Sequence, residues 1–208
     1  MPADEIVLYR SVASRSITAL WLLEELGLAY KMETVDIRTG DQKDPAYLRL
    51  NPMGKVPTLT VGETVVTETA AICLFLADRY SYGTLAPTIE DPARGPFLRW
   101  TVFATAVLEP AMIAHELGLE APARHVGWGA YEDAIHTTVS ALGDGSFLLG
   151  ERFTAADVML GSVIAVGLFT KRLPAEAALV AYNTRLGARP AFQKAAAINW
   201  PPELFAPS

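Results

Sequence analysis

The chain has 208 residues, 51% of them hydrophobic and 19% charged, enough for one large core or two small ones. A net charge of −6, with three histidines scattered at positions 115, 125 and 136, excludes the basic footprint of a nucleic-acid binder. A single cysteine, Cys73, excludes an intramolecular disulfide framework, a CxxC redox pair and a thiolate zinc site, so any sulfur chemistry must use a thiol from elsewhere.

The opening "MPADEIVLYRS" has acidic residues and no apolar stretch behind a basic region. It predicts neither a signal peptide nor a membrane span, and hence a cytoplasmic protein. Residues 5–9, "EIVLY", read as a first strand that runs into the polar loop "RSVASRS". Ile17, Leu20, Trp21, Leu23 and Leu26 then recur at helical spacing until Gly27 stops the helix. Residues 29–37, "AYKMETVDI", read as a second strand, so the start is a βαβ unit with parallel strands and a right-handed crossover. After a polar stretch, "KVPTLTV" and "TVVT" form a hairpin around "GE", with Gly62 in the turn. Ile72, Phe75, Leu76 and Tyr80 mark one face of a helix from about 69 to 80.

The Gly- and Pro-rich "SYGTLAPTIEDPARGP" reads as a linker, and everything beyond it as helix. Phe97, Trp100, Phe103, Ala104, Val107 and Leu108 share one face, with Pro110 expected to kink that helix; Trp128, Tyr131, Ile135 and Leu142 share another. "TAAD" at 154–157 has the form of a capping box, and it opens "VMLGSVIAVGLF", apolar enough to be buried on every side as a spine. Pro190 suits the first turn of a last short helix. The fold expected is therefore α/β plus all-α: a first domain over 1–82, a linker over 83–94 and a helical domain over 95–208.

Three stretches carry chemistry. Pro57 interrupts a strand, where proline removes a ladder hydrogen bond. Either it is an ordinary trans proline on an edge, or a cis Val56–Pro57 bond turns the chain and leaves the Val56 backbone open to pair with a bound peptide. In "TETAA", Glu68 and Thr69 stand where the hairpin gives way to a helix, whose exposed N–H groups suit a carboxylate while Glu68 suits an ammonium group. The alternative is that Thr67 or Glu68 only caps its own helix. The loop after the first strand offers Ser11, Ser14 and Ser16 beside Arg15, at the strand end where open α/β sheets bind ligands. A hydroxyl there can donate to a thiolate, although for Ser16 capping of the first helix is the preferred reading. A free thiol is only about 3% ionised at pH 7, and lowering its pKa by about two units makes thiolate the major form.

"LYRSVASRSITALWLLEELGLAY", "DPAYLRLNPMGKVPTL" and "VVTETAAICLFLADRY" together resemble the N-terminal domain of the glutathione transferases, particularly a bacterial and fungal subgroup with an S-R-S loop ahead of "LWLLEELGL". The likeness spans residues 5–82 in order, and "FLLGERFTAADVMLGSVI" resembles the family's capping box more loosely. It implies a thioredoxin-like domain followed by an all-helical one, usually a homodimer, with glutathione as cosubstrate and no metal. By the same resemblance Val56, ahead of a cis Pro57, binds the cysteinyl backbone of glutathione, and Glu68 with Thr69 holds the γ-glutamyl end; Asn51 and Lys55 flank the glycyl carboxylate. Family members activate the thiol with Tyr, Ser or Cys; here Ser14 beside Arg15 is preferred, then Ser11, then Tyr9. Cys73 sits among apolar neighbours and reads as a small buried hydrophobe.

The electrophile should lie between the domains, where pockets form, with Phe103, Ala104, Val107 and Met112 as lining candidates or else plain core. His115 and Glu116 read as solvated surface. The expected function is a glutathione transferase acting on a small apolar electrophile or hydroperoxide. A non-catalytic binding module of the same fold is the first rival. A thiol–disulfide oxidoreductase is the second, disfavoured because the "RSVASRS" loop has no cysteine.

Overall fold

The computed structural model describes residues 4–143 and 145–201, and their contacts divide the chain into two compact units. One unit runs to Leu76 and resumes at Arg189; the other is Ala77–Ala188.

The first unit is built on four strands: β1 (Ile6–Arg10), β2 (Lys31–Thr34), β3 (Thr58–Val61) and β4 (Thr64–Val66). They form one sheet in the order β2-β1-β3-β4, with β2 parallel to β1 and the β3–β4 hairpin antiparallel to it. Alternation along β1 buries Ile6 and Leu8 on one face, where they meet α1 (Ser16–Leu26). The helix stops as its sequence requires, with Gly27 left-handed at φ 62°. The hairpin turns on Gly62 at φ 56°, and α3 (Thr69–Ser81) follows it. This is the thioredoxin-like arrangement that the sequence resemblance implies.

The polar stretch after β2 is more ordered than its sequence suggests. It holds a 3₁₀ turn, Asp41–Lys43, and a one-turn helix, α2 (Pro45–Leu48), started by Pro45 at its first position. One turn is too short to show a helical period, so only the fold reveals it.

The second unit is helical: α4 (Arg94–Phe103), α5 (Glu109–Glu116), α6 (Tyr131–Leu142), α7 (Ala155–Phe169) and α8 (Ala177–Gly187). A π-helical turn, Ala104–Leu108, lies two residues ahead of Pro110, and the helical run continues to Glu116. Proline lacks the N–H that an α-helical turn would use, and a wider turn absorbs that loss. Among the described residues, Arg94–Glu116 is the one helix long and apolar enough to cross a membrane, but α4 packs on α7 as a core helix does. The spine α7 is buried on all sides from Ala155 to Ile164, whereas its last turn emerges and leaves Phe169 exposed. The Thr154–Asp157 capping box is present, with Asp157 accepting the Thr154 N–H at 2.8 Å.

The helical domain drawn over 95–208 differs from this grouping. The last helix, α9 (Pro190–Asn199), packs along α1 of the first unit, and the physical reason is a set of partners remote in sequence. Phe192 meets Trp21 edge-on at 4.9 Å, and Arg189 grips Glu25 with Nε at 2.6 Å and Nη2 at 2.7 Å.

Candidate functional site

Strand register gathers the chemistry-bearing stretches at one end of the sheet. Tyr9 of β1 stands opposite Thr58 of β3, so the loop after β1 lies beside the residues that lead into β3. Leu59 of β3 stands opposite Val66 of β4, which brings Thr67, Glu68 and Thr69 to the same end. The serine loop, Val56–Pro57 and the start of α3 are thus neighbours by topology, although 39 residues of sequence lie between Ser16 and Val56.

The Val56–Pro57 peptide is cis. Val56 makes no backbone hydrogen bond among the described residues, so its N–H and C=O are available to a ligand backbone. Asn51 and Lys55 behave differently from each other. Asn51 is buried, with Nδ2 donating to the Lys55 carbonyl at 2.9 Å and Oδ1 accepting the Met53 N–H at 3.1 Å; its amide braces the turn ahead of β3. Tyr47 of α2 also donates to the Lys55 carbonyl and shares a 2.9 Å bond with Thr58, so the approach to Pro57 is fixed from both sides. The Lys55 side chain is exposed and makes no ion pair among the described residues, which leaves its charge open to an anion.

Glu68 is exposed and left-handed at φ 66°, a conformation that costs a non-glycine residue about 1–2 kcal/mol. Such outliers persist where the surroundings enforce them, and they cluster at ligand sites. The turn lets α3 start at once: the Ile72 N–H already bonds to the Glu68 carbonyl, while the N–H groups of Thr69, Ala70 and Ala71 have no backbone partner among the described residues. A helix N-terminus of this kind favours a carboxylate.

The serine loop holds a compact hydroxyl network. Ser14 Oγ donates to the Ser11 carbonyl at 2.6 Å, lies 2.9 Å from Ser16 Oγ and accepts the Ser16 N–H at 3.2 Å. Ser11 is buried, and its Oγ accepts the Ile37 N–H at 3.4 Å. Ser14 is only half-buried, so of the two its hydroxyl has the better access to a ligand. Ser16 is the first residue of α1 rather than its cap; Arg15 occupies the cap position and no side chain caps it. Ser16 instead turns inward, its Oγ accepting the Ser11 N–H at 3.4 Å.

Tyr9 is drawn elsewhere. It lines a cavity of about 320 Å³ with Glu33, Asp41, Asp44 and Tyr47, its ring centroid 6.1 Å from that of Tyr47. Cys73 is fully buried in α3, and burial pushes its thiol up to about 12, far from a nucleophile's range.

In the helical unit Ala104 and Met112 are buried to 1% exposure or less, which is core, whereas Phe103 and Val107 are half-buried. Phe103 packs edge-on to Trp100 at 5.2 Å. A cavity of about 560 Å³ opens further along, lined by Ala111, His115, Leu119, Trp128, Tyr131 and neighbours, and by none of those four residues. His115 is solvent-exposed, yet its ring stacks on Tyr131 at 3.9 Å and 8°. Nothing in sequence spacing marks that stack, because its partners come from different helices.

Residues 14–79 match the family model described as glutathione S-transferase, N-terminal domain. Glutathione S-transferase 3 of Zea mays is 32% identical over 202 residues, covering 87% of this chain and 88% of its own. Glutathione S-transferase hmp2 of Hypomyces subiculosus is 40% identical over 108 residues, covering 49% of this chain and 50% of its own; the chain thus spans about half the length of some curated relatives it matches. The solved glutathione transferase URE2P8 of Phanerochaete chrysosporium, with oxidized glutathione, superposes with a TM-score of 0.77 at 20% identity, covering 99% of this chain and 98% of its own.

Proposed function

The chain belongs to the glutathione S-transferase family, and we propose that it binds glutathione as a thiolate and directs that thiolate at a small apolar electrophile. The observation that carries this is the convergence, at one end of one sheet, of a serine loop, an open backbone at Val56 and a helix start behind a left-handed Glu68 whose first N–H groups have no backbone partner among the described residues.

Each feature meets one part of a γ-glutamyl-cysteinyl-glycine ligand. The cysteinyl N–H and C=O pair with the Val56 backbone as an added strand segment. The γ-glutamyl carboxylate takes the N–H groups at Thr69 and Ala70, and Glu68 takes the ammonium group. Lys55 is the cation for the glycyl carboxylate; Asn51, whose amide donor is already committed within the turn, acts by holding that turn. Ser14 turns its proton from the Ser11 carbonyl toward the sulfur. The Ser16 N–H continues to donate to Ser14 Oγ, which makes the hydroxyl a stronger donor. The thiolate then attacks the electrophilic carbon: a carbon–sulfur bond forms, and the leaving group, or the adjacent carbon in an addition, takes the electron pair. Ala104 and Met112 are core and have no surface left to give, whereas Phe103 and Val107 are half-exposed. Reduction of a hydroperoxide at the expense of glutathione belongs to the same proposal, because it begins with the same thiolate.

The test is titration of the enzyme-bound thiolate by its ultraviolet absorbance. Ser14→Ala should raise the thiolate pKa by about two units and lower turnover of an aryl halide near pH 6.5 by about 100-fold. Ser11→Ala and Tyr9→Phe should move the pKa far less. An unmoved pKa in Ser14→Ala sinks the serine assignment.

A further inference from the structure

The end of the chain reaches back to the serine loop. Helix α9 is fastened to α1 by Phe192 on Trp21, by Arg189 on Glu25, and by Lys194 on Glu24 at 2.7 Å. Its last turn thereby delivers Ile198 and Asn199 to the segment that follows β1. Arg10, the last residue of β1, donates from Nη1 to the Ile198 carbonyl at 3.3 Å. The Ala13 N–H donates to the Asn199 carbonyl at 2.7 Å, and Asn199 Nδ2 donates to the Ser14 carbonyl at 3.2 Å. One residue therefore holds the amide of Ala13 and the carbonyl of Ser14, on either side of the serine whose hydroxyl matters.

Two further observations bear on its role. Ala13 is left-handed at φ 49°, a conformation that a residue with a Cβ keeps only where its surroundings enforce it. Asn199 is fully buried, and its Oδ1 makes no hydrogen bond among the described residues. A buried amide with one half unsatisfied is unfavourable as packing, where an apolar side chain of the same shape serves better. What the amide supplies is its donor, aimed at the loop.

We propose that Asn199 is a positioning residue for the thiol-activating loop, its Nδ2 bond to the Ser14 carbonyl fixing the backbone from which the Ser14 hydroxyl is aimed. Without that bond the Ser14 peptide can rotate, and the hydroxyl loses the fixed position beside the Ser11 carbonyl from which it turns to the sulfur. The inference rests on the reading of Ser14 given above. Asn199 meets no substrate in it; the γ-glutamyl and cysteinyl anchors at Thr69 and Val56 are untouched.

The experiment uses Asn199→Ala and Asn199→Leu, the second similar in shape to asparagine and lacking the donor, so that a folding defect from an empty cavity does not decide the result. Bound-thiolate pKa, steady-state kinetics with 1-chloro-2,4-dinitrobenzene at pH 6.5 and pH 9, and thermal unfolding are measured on the full chain. Both variants should raise the thiolate pKa by about half a unit to one unit, so that kcat/KM at pH 6.5 falls about 3- to 10-fold. KM for glutathione should stay within about twofold of its starting value, and activity should recover at pH 9, where the thiolate forms unaided. In a Ser14→Ala background the same changes should add nothing, because a residue acting through Ser14 has nothing left to position. An unmoved pKa in Asn199→Leu, or an equal shift with and without Ser14, overturns the inference. If Ser14→Ala alone leaves the pKa unmoved, it is the serine reading that fails, and the two failures are told apart.

Discussion

Each unit buries a polar knot, and the two are built to opposite rules. In the helical unit Asp157 is closed on every side. It accepts the N–H groups of Leu148 and Thr154, both at 2.8 Å, the Tyr182 hydroxyl at 2.9 Å and the Thr154 hydroxyl at 3.1 Å. Burial pushes its carboxyl up while those four donors pull it down, and burial raises the Tyr182 hydroxyl as well. In the first unit, the region where β1, α1 and α9 meet leaves Arg10 Nε, Thr18 Oγ1 and Asn199 Oδ1 without hydrogen-bond partners among the described residues. A fully satisfied network fixes a fold, whereas open donors and acceptors beside a left-handed Ala13 cost stability and are kept where function uses them. The difference separates a knot that holds from one that aims.

The largest effect is expected at Asp157. Asp157→Ala strands two buried N–H groups and the Tyr182 hydroxyl, and should cost about 3 kcal/mol or more, read as a lower denaturation midpoint. The fraction still folded should keep its thiolate pKa. A shifted pKa there would show that the two knots are not independent, and would remove the contrast with Asn199, where the pKa should move and stability should change little.

A smaller effect is expected at the far end of α9. Arg189→Ala removes a two-point bond to Glu25, whose side chain is only 9% exposed and which also accepts the Trp21 indole N–H at 2.8 Å. The expected loss is about 1–2 kcal/mol, between that of an exposed pair and that of a buried one. If α9 aims the serine loop, part of that loss should also appear as a raised thiolate pKa, smaller than in Asn199→Leu.

The smallest effect concerns Cys73. Burial pushes the Cys73 thiol from its ordinary 9.0 up to about 12, so below pH 9 it contributes no pH-dependent stability. Above pH 9 the unfolded chain ionises first and stability falls. The stability difference between the parent and Cys73→Ala should therefore shift against the parent between pH 8 and pH 10. In the native protein a thiol reagent at pH 8 should react with Cys73 only as fast as the chain opens.

Much of this molecule was legible because its signals are local. The period of Ile17, Leu20, Trp21 and Leu23 marks α1, Gly27 ends it, and Thr154 with Asp157 starts α7. The Val56–Pro57 and Glu68–Thr69 stretches could be marked as chemistry from residue type and position alone. Their conformations could not be: that Glu68 is left-handed, that Asn51 spends its amide inside its own turn and that Tyr9 faces the α2 side are results of packing. A one-turn helix such as α2 has no period to read. The His115–Tyr131 stack joins side chains 16 positions apart across a loop that sequence leaves unconstrained.

By itself the sequence determined the order of the longer elements of the first unit, the two fold classes and the residue types at one end of the sheet, since periodicity, capping and turn chemistry act over a few residues. Only the tertiary structure decided where the last helix belongs and that Asn199 holds Ser14, 185 positions away. No local rule reaches that far: the pairing exists because α9 buries its face on α1, and the loop is aimed by what that burial brings to it.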